Sequence, residues 1–210
     1  IKTSNEITSA LVSGVPVITN GTVRNTDVST GSIFIAWKKP TSLDTIPANG
    51  PYEYLIYRAE GTGGTEYSQI ASKLTADLND TTHVDTLINT VKSGYIYKIE
   101  LWNNAPGNRF LVGEPAYASS LYLIASPGDR KAKLSMTRNV PWINTRYDIF
   151  RLNESTLTYD SIATTNQLSY IDQALENDRE YCYLVRSFGG YLTDGMPKNL
   201  LNFSEKQCLT

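Results

Sequence analysis

Apolar and polar positions along the chain alternate with a period of two. Ser32-Ile33-Phe34-Ile35-Ala36-Trp37 is the plainest case, and residues 52–57, 95–101, 147–150 and 181–185 are further β-branched and aromatic runs. Successive side chains of a strand point to opposite faces of a sheet, so each run predicts a strand with one face buried. Between them lie Pro47-Ala48-Asn49-Gly50-Pro51, Gly61-Thr62-Gly63-Gly64 and Ser126-Pro127-Gly128-Asp129, residue types that supply turns. Short strands at regular spacing with turn signals between them predict an all-β antiparallel sandwich. The helical expectation is one turn over residues 6–11.

The pattern repeats. Glu53-Tyr54-Leu55-Ile56-Tyr57-Arg58 is echoed by Arg146-Tyr147-Asp148-Ile149-Phe150-Arg151, and Glu66-Tyr67-Ser68-Gln69-Ile70-Ala71 by Thr158-Tyr159-Asp160-Ser161-Ile162-Ala163. Thr82-His83-Val84-Asp85 is echoed by Ser169-Tyr170-Ile171-Asp172, and the Val91…Tyr97 spacing by Leu175…Tyr181. Four matches in one order predict two tandem copies of a seven-stranded sandwich, with Tyr57 overlaying Phe150 and Tyr97 overlaying Tyr181. The expected division is an N-terminal tail over 1–13, a first domain over 14–118 and a second over 119–210. The tail could also be the end strand of a preceding domain, and the first assignable strand begins near Val15-Pro16. No Gly/Ser tract separates the copies, so a semi-rigid pair is expected.

Composition narrows the function classes. The 210 residues carry 19 Lys+Arg and 21 Asp+Glu, a formal net charge of -2, which excludes a broad cationic footprint for nucleic acid or anionic membrane. Hydrophobic residues make up 40%, enough to build a core. The longest purely apolar run, residues 121–125, is far short of the ~20 residues of a membrane span. The chain opens on Ile1, with no charged-then-apolar leader, which reads as a processed form or an excised segment.

These residues resemble fibronectin type III modules, an immunoglobulin-like sandwich. The first copy has Pro16, Trp37 closing the second strand and Tyr54-x-x-Tyr57-Arg58 on the third. The second keeps the frame with Met136 where the Trp belongs, and Leu175 with Tyr181 is similar to the family's leucine–tyrosine pair. Val140-Pro141-Trp142, Tyr181-Cys182-Tyr183-Leu184-Val185 and Asn202-Phe203-Ser204…Cys208 are similar to modules of large secreted Bacteroidetes proteins, of the kind that precede gliding-motility-associated C-terminal domains. The resemblance covers residues 14–210 and implies a structural or adhesive part of an exported cell-surface protein. Its motifs are core and turn motifs, specific for fold and weak for function. Within that resemblance, Asp44-Thr45-Ile46, Asp80-Thr81-Thr82, Asp85-Thr86-Leu87 and Asp160-Ser161-Ile162 match the phylum's O-glycosylation pattern.

Candidate chemistry is sparse. If strand six passes through 181–185 and strand seven through 201–208, around a hairpin centred near Gly195, antiparallel pairing sets Cys182 opposite Cys208 on the outer face. A bridge there would place the Cα atoms roughly 4.4–6.8 Å apart and imply an oxidising compartment; the alternative is a pair of free thiols. His83 is the sole histidine, and its counterpart Tyr170 has no chemical role. Asp77, Asn79 and Asp80 are hard oxygen donors, but tight turns need the same residues. The acids sit at turns or on polar strand faces, and no Gly-x-Ser-x-Gly elbow occurs. No catalytic residue, metal or cofactor is therefore expected. Trp102, Asn103 and Asn104, expected at the start of a loop, and Trp142, in the loop before a strand, are candidates for glycan contact or for plugging the interdomain seam. Expected partners are neighbouring domains of the same polypeptide and surface proteins or glycans, with neither nucleic acid nor a membrane span. The leading function is a non-catalytic spacer and protein-interaction surface. The alternative is a carbohydrate-binding or accessory module of a polysaccharide-processing protein.

Overall fold

The computed structural model describes residues 14–113 and 115–210; the expected tail and helical turn over residues 1–13 lie outside them. Alternation shapes β2, Gly31–Lys38, whose residues are buried and half-buried in strict turn with Ile33, Ile35 and Trp37 inward. It pairs antiparallel with β1, Val17–Asn25, and with β5, Thr82–Ile88, in a three-stranded sheet ordered β1-β2-β5. The opposing sheet is ordered β4-β3-β6-β7, from Ser68–Thr75, Tyr52–Glu60, Tyr95–Ala105 and Asn108–Leu111. A short β8, Tyr117–Ser119, pairs with the other end of β6, so β7 and β8 act as two pieces of one seventh strand.

The second half repeats this plan. Strands β9 (Tyr122–Gly128), β10 (Lys131–Thr137) and β13 (Ser169–Gln173) form one sheet. The other runs β12 (Thr158–Thr165), β11 (Ile143–Asn153), β14 (Tyr181–Gly190) and β15 (Leu200–Phe203). A final β16, Gln207–Leu209, also pairs with β14. Each half is a fibronectin type III-like sandwich whose seventh strand is broken in two. Among the described residues every regular element is a strand, and no helix is long and apolar enough to cross a membrane.

The registers fix how the copies correspond. Asp85 faces Ile33 and Asp172 faces Ala132; counting along β2 and β10 from these pairs brings Trp37 onto Met136, both buried. Arg58 faces Tyr97, whereas Arg151 faces Tyr183. Tyr97 therefore corresponds to Tyr183, and Tyr95 to Tyr181, which corrects the expected overlay of Tyr97 on Tyr181. The cause is turn length. The buried apolar residue after Asp85 is Ile88, matching Leu175 after Asp172, and the turn from Ile88 to Tyr95 is one residue longer than that from Leu175 to Tyr181. Val91 is half-buried and belongs to that longer turn.

One core holds Leu123, Leu134, Met136, Tyr147, Ile149, Tyr183 and Val185 between the sheets of the second sandwich. The other fills the first sandwich around Ile33, Ile35, Trp37, Tyr54, Tyr97 and Ile99, and continues without a gap through Trp142, Tyr191, Met196 and Leu200 of the second half. Trp37 meets Tyr54 edge-on at 5.2 Å between ring centroids.

Candidate functional site

The cysteines meet because the last strand breaks. In β15, Arg186 faces Phe203 and Ser187 faces Asn202. Continued without interruption, that register would set Gln207 opposite Cys182. Residues 204–206 insert one extra position, a bulge that brings Cys208 opposite instead, and the bridge closes. The Cα atoms are 4.0 Å apart, shorter than the expected span of roughly 4.4–6.8 Å and nearest to the narrow type of directly facing pair in an antiparallel ladder. Cys182 and Cys208 gather near Glu180, but both sulfurs are committed to each other, so this cluster is no metal centre.

The same bulge builds contacts. Ser204 Oγ accepts the Val185 N–H at 3.0 Å, and the Glu205 carboxylate turns inward to accept the Leu123 N–H at 2.7 Å. Glu205 is 1% exposed, and burial pushes its carboxyl up to about 8. On the other side, Lys206 N–H donates to Thr26 Oγ1 at 2.9 Å and Gln207 Nε2 to the Val91 carbonyl at 3.0 Å, both in the first sandwich.

These bonds belong to a long interdomain seam. Asn202 Oδ1 accepts the Gly21 N–H at 3.0 Å, Phe203 N–H donates to Thr22 Oγ1 at 2.8 Å, and Tyr191 Oη donates to the Ile18 carbonyl at 2.6 Å. Lys38 donates to the Gly195 carbonyl. Edge strand β1 thus lies along edge strand β15, each satisfying the other largely through side chains. Trp142 is 4% exposed within this seam, its ring centroid 5.9 Å from that of Tyr191 and its Nε1 donating to Asn144 Oδ1 at 2.9 Å. Between the sandwiches, Ser119 and Ser120 are buried, and Ser120 exchanges bonds with the Tyr95 backbone.

Trp102, Asn103 and Asn104 lie inside β6, which runs on to Ala105, and so are not in a loop. Parity separates them. Asn103 points inward, fully buried, where its Oδ1 accepts the Gly50 N–H at 2.8 Å and its Nδ2 donates to the Asn108 carbonyl at 2.7 Å. Trp102 points outward with Arg109 stacked 4.2 Å over its ring, its Nε1 donating to Glu100 at 3.0 Å. Asn104 Oδ1 receives Arg109 Nε at 3.1 Å. Burial opposes the charge on Glu100, but Lys98 and the Trp102 N–H together hold its carboxyl below the ordinary range. The stack continues as Lys98 over Tyr57 at 4.3 Å and Tyr67 against the exposed Tyr117. The second sandwich has the same kind of outer face: Arg146 and Arg186 flank Phe188 at 3.6 and 4.8 Å, with Asp148 between the two cations.

A buried polar clamp recurs in both cores. Arg58 donates to both oxygens of Asp85, at 2.9 and 3.0 Å, and Tyr97 Oη donates to the same carboxylate at 2.9 Å. In the second copy Arg151 and Tyr183 hold Asp172 at 2.7 and 2.8 Å. Each clamp ties an edge strand of one sheet to the middle of the other. The sequence echo contained these residues, but gave no sign that they touch.

The remaining candidates lie on a strand and in a turn. His83 sits half-buried on β5, where burial lowers its pKa. Asp77, Asn79 and Asp80 form a turn: Asp77 receives the Asn79 N–H and side-chain amide, Asn79 receives Lys39 at 2.7 Å, and Asp80 receives Lys73 at 2.6 Å. These oxygens are engaged by protein donors, as a turn requires.

No family model matches the chain, and no curated protein matches it. Among solved structures it is similar to the chicken interferon gamma receptor alpha chain, at 12% identity over 93% of this chain and 98% of that one, with a TM-score of 0.33. It is similar also to the FN1–FN3 domains of chicken CNTN1, at 12% identity over 91% of this chain and 66% of that one, with a TM-score of 0.30. At these scores the likeness says nothing of function, and the fold assignment rests on the strand orders and registers above.

Proposed function

We propose that the chain is a non-catalytic tandem module, with units over residues 14–118 and 119–210, of a large exported cell-surface protein. It acts as a semi-rigid spacer and offers the outer faces of its two larger sheets to protein partners. The observation that carries this reading is the core that runs through the seam: Trp142, Tyr191, Met196 and Leu200 pack into the first sandwich. A flexible linker would need none of them. The Cys182–Cys208 bridge favours an extracytoplasmic setting, secreted, surface-bound or periplasmic. The resemblance to Bacteroidetes modules of gliding-motility-associated proteins supplies the context, with neighbouring domains of the same polypeptide as partners.

Glycan binding is the weaker reading. Trp142 is buried and offers no ring to a sugar, and Arg109 already covers one face of the half-buried Trp102. Two measurements test the assignment. In 15N relaxation the two sandwiches should tumble with one correlation time; independent tumbling refutes the spacer. Titration with polysaccharides should leave tryptophan fluorescence unchanged, whereas saturable quenching lost in Trp102→Ala would move the assignment to the carbohydrate-binding module.

A further inference from the structure

The seam contains a carboxyl group without a counter-charge. Glu205 bonds the Leu123 N–H and the Gln207 side chain, and each charged or titratable group around it is engaged elsewhere. Lys206 lies over the Tyr159 ring at 5.6 Å, and Lys92 pairs with Glu60 at 3.7 Å. On β14, Arg186 pairs with Asp148, Tyr183 donates to Asp172 and the Tyr181 hydroxyl accepts the Glu176 N–H. On β9, Tyr122 gives its hydroxyl to the Val91 and Lys92 carbonyls; burial, and then the charge on Glu205, push its own pKa upward. An unpaired carboxylate cannot stay in such a site at low cost; it must take up a proton or reach water.

The way out to water is the bulge itself. Residues 204–206 belong to no strand; Ser204 N–H bonds the Val185 carbonyl, and an outward swing from Glu205 onward would carry Lys206 off Thr26 and Gln207 off Val91. We propose that Glu205 is a proton-operated latch on the domain seam: the neutral carboxyl keeps residues 204–207 against the first sandwich, and the ionised one releases them. With Glu205 neutral the pair is one stiff body. Once it ionises, this end of the seam opens, while the disulfide keeps β16 on β14. The inference rests on the spacer reading and adds a condition under which one end of its seam loosens.

The test uses the full chain, labelled with 15N and with 13C at the glutamate carboxyls, at pH 6 and pH 9. The expected result is one correlation time for the two sandwiches at both pH values, ordered amide relaxation over residues 204–207 at pH 6, fast local motion of those amides at pH 9, and a midpoint coincident with the Glu205 carboxyl titration. One pH unit above the midpoint, ionised Glu205 outnumbers neutral by about tenfold. Glu205→Gln should keep residues 204–207 ordered at both pH values. Independent tumbling already at pH 6 refutes the spacer itself. Ordered 204–207 amides at pH 9 with Glu205 ionised refute the latch alone, as does their release while Glu205 is still neutral. If the Gln variant does not fold, coincidence of the two wild-type midpoints decides.

Discussion

Replacing Trp142 by Ala removes the largest side chain of the second half that packs into the core of the first. Only 4% of Trp142 is exposed, so nearly its whole surface counts. A tryptophan buries about 150–250 Å², and at roughly 25 cal/mol per Å² that corresponds to ~4–6 kcal/mol, an upper estimate because the denatured chain already buries part of it. Large aromatic deletions in cores usually cost ~3–5 kcal/mol. For a chain of this size each kcal/mol shifts Tm by about 2–4 °C, so the loss should be on the order of 10 °C. The shape of the transition is the more telling readout. Because the ring meets Tyr191 and shares a cluster with Met196, Leu200 and the first sandwich, wild type should melt in one calorimetric transition. Trp142→Ala should split it, the two sandwiches unfolding separately. A wild-type protein that already melts in two independent steps, or a variant whose Tm stays within error of wild type, would refute the shared core.

Reducing the Cys182–Cys208 bridge, which closes a separation of 26 residues, should cost roughly 3–4 kcal/mol on the chain-entropy model. Since that loop docks on the first sandwich, calorimetry should show both halves destabilised, not the second alone. Asp172→Ala strips the shared acceptor from Arg151 and Tyr183 and should destabilise by about 3–5 kcal/mol in denaturant titration; Asp85→Ala should do the same to the first copy, and a loss under ~1 kcal/mol in either would show the clamp to be incidental. Glu205 has a folded-state pKa raised from 4.5 to about 8. Its contribution is therefore fully present below pH 4.5 and declines as pH rises to 8, by about 1.4 kcal/mol per unit. Glu205→Gln should flatten that slope in urea unfolding between pH 5 and 8, and an unchanged slope would count against the buried carboxyl.

The fold was legible because alternation is a direct imprint of burial. Ile33, Ile35 and Trp37 read inward from the sequence alone, and they are inward. The cysteine pair was legible too, although by a central count that ignored the bulge; the count fits β16 and misses β15 by one residue. The Tyr97 correspondence was misread because spacing was matched across turns of unequal length. Trp102 was assigned to a loop because Asn103-Asn104 looks like a turn, whereas buried acceptors and donors around Asn103 hold it in a strand. The clamp and the seam depend on which distant residues touch, which no local pattern encodes. The echoed Arg58/Arg151 and Asp85/Asp172 were the available signal, since a charged residue repeated at one position of a buried frame invites a partner.

The disulfide also decides how the molecule would carry a pulling force. A load delivered through Thr210 enters β16 and crosses at Cys208 directly into Cys182 on β14. Everything between the two cysteines, including β15 and the loop that presents Tyr191, Met196 and Leu200 to the first sandwich, is bypassed. Those 26 residues of separation, worth about 9 nm of extended chain, cannot be drawn out while the bridge is intact. The tensile path therefore bypasses the part of the seam made by Tyr191, Met196 and Leu200, so those contacts are not unravelled along the chain by tension applied at that end.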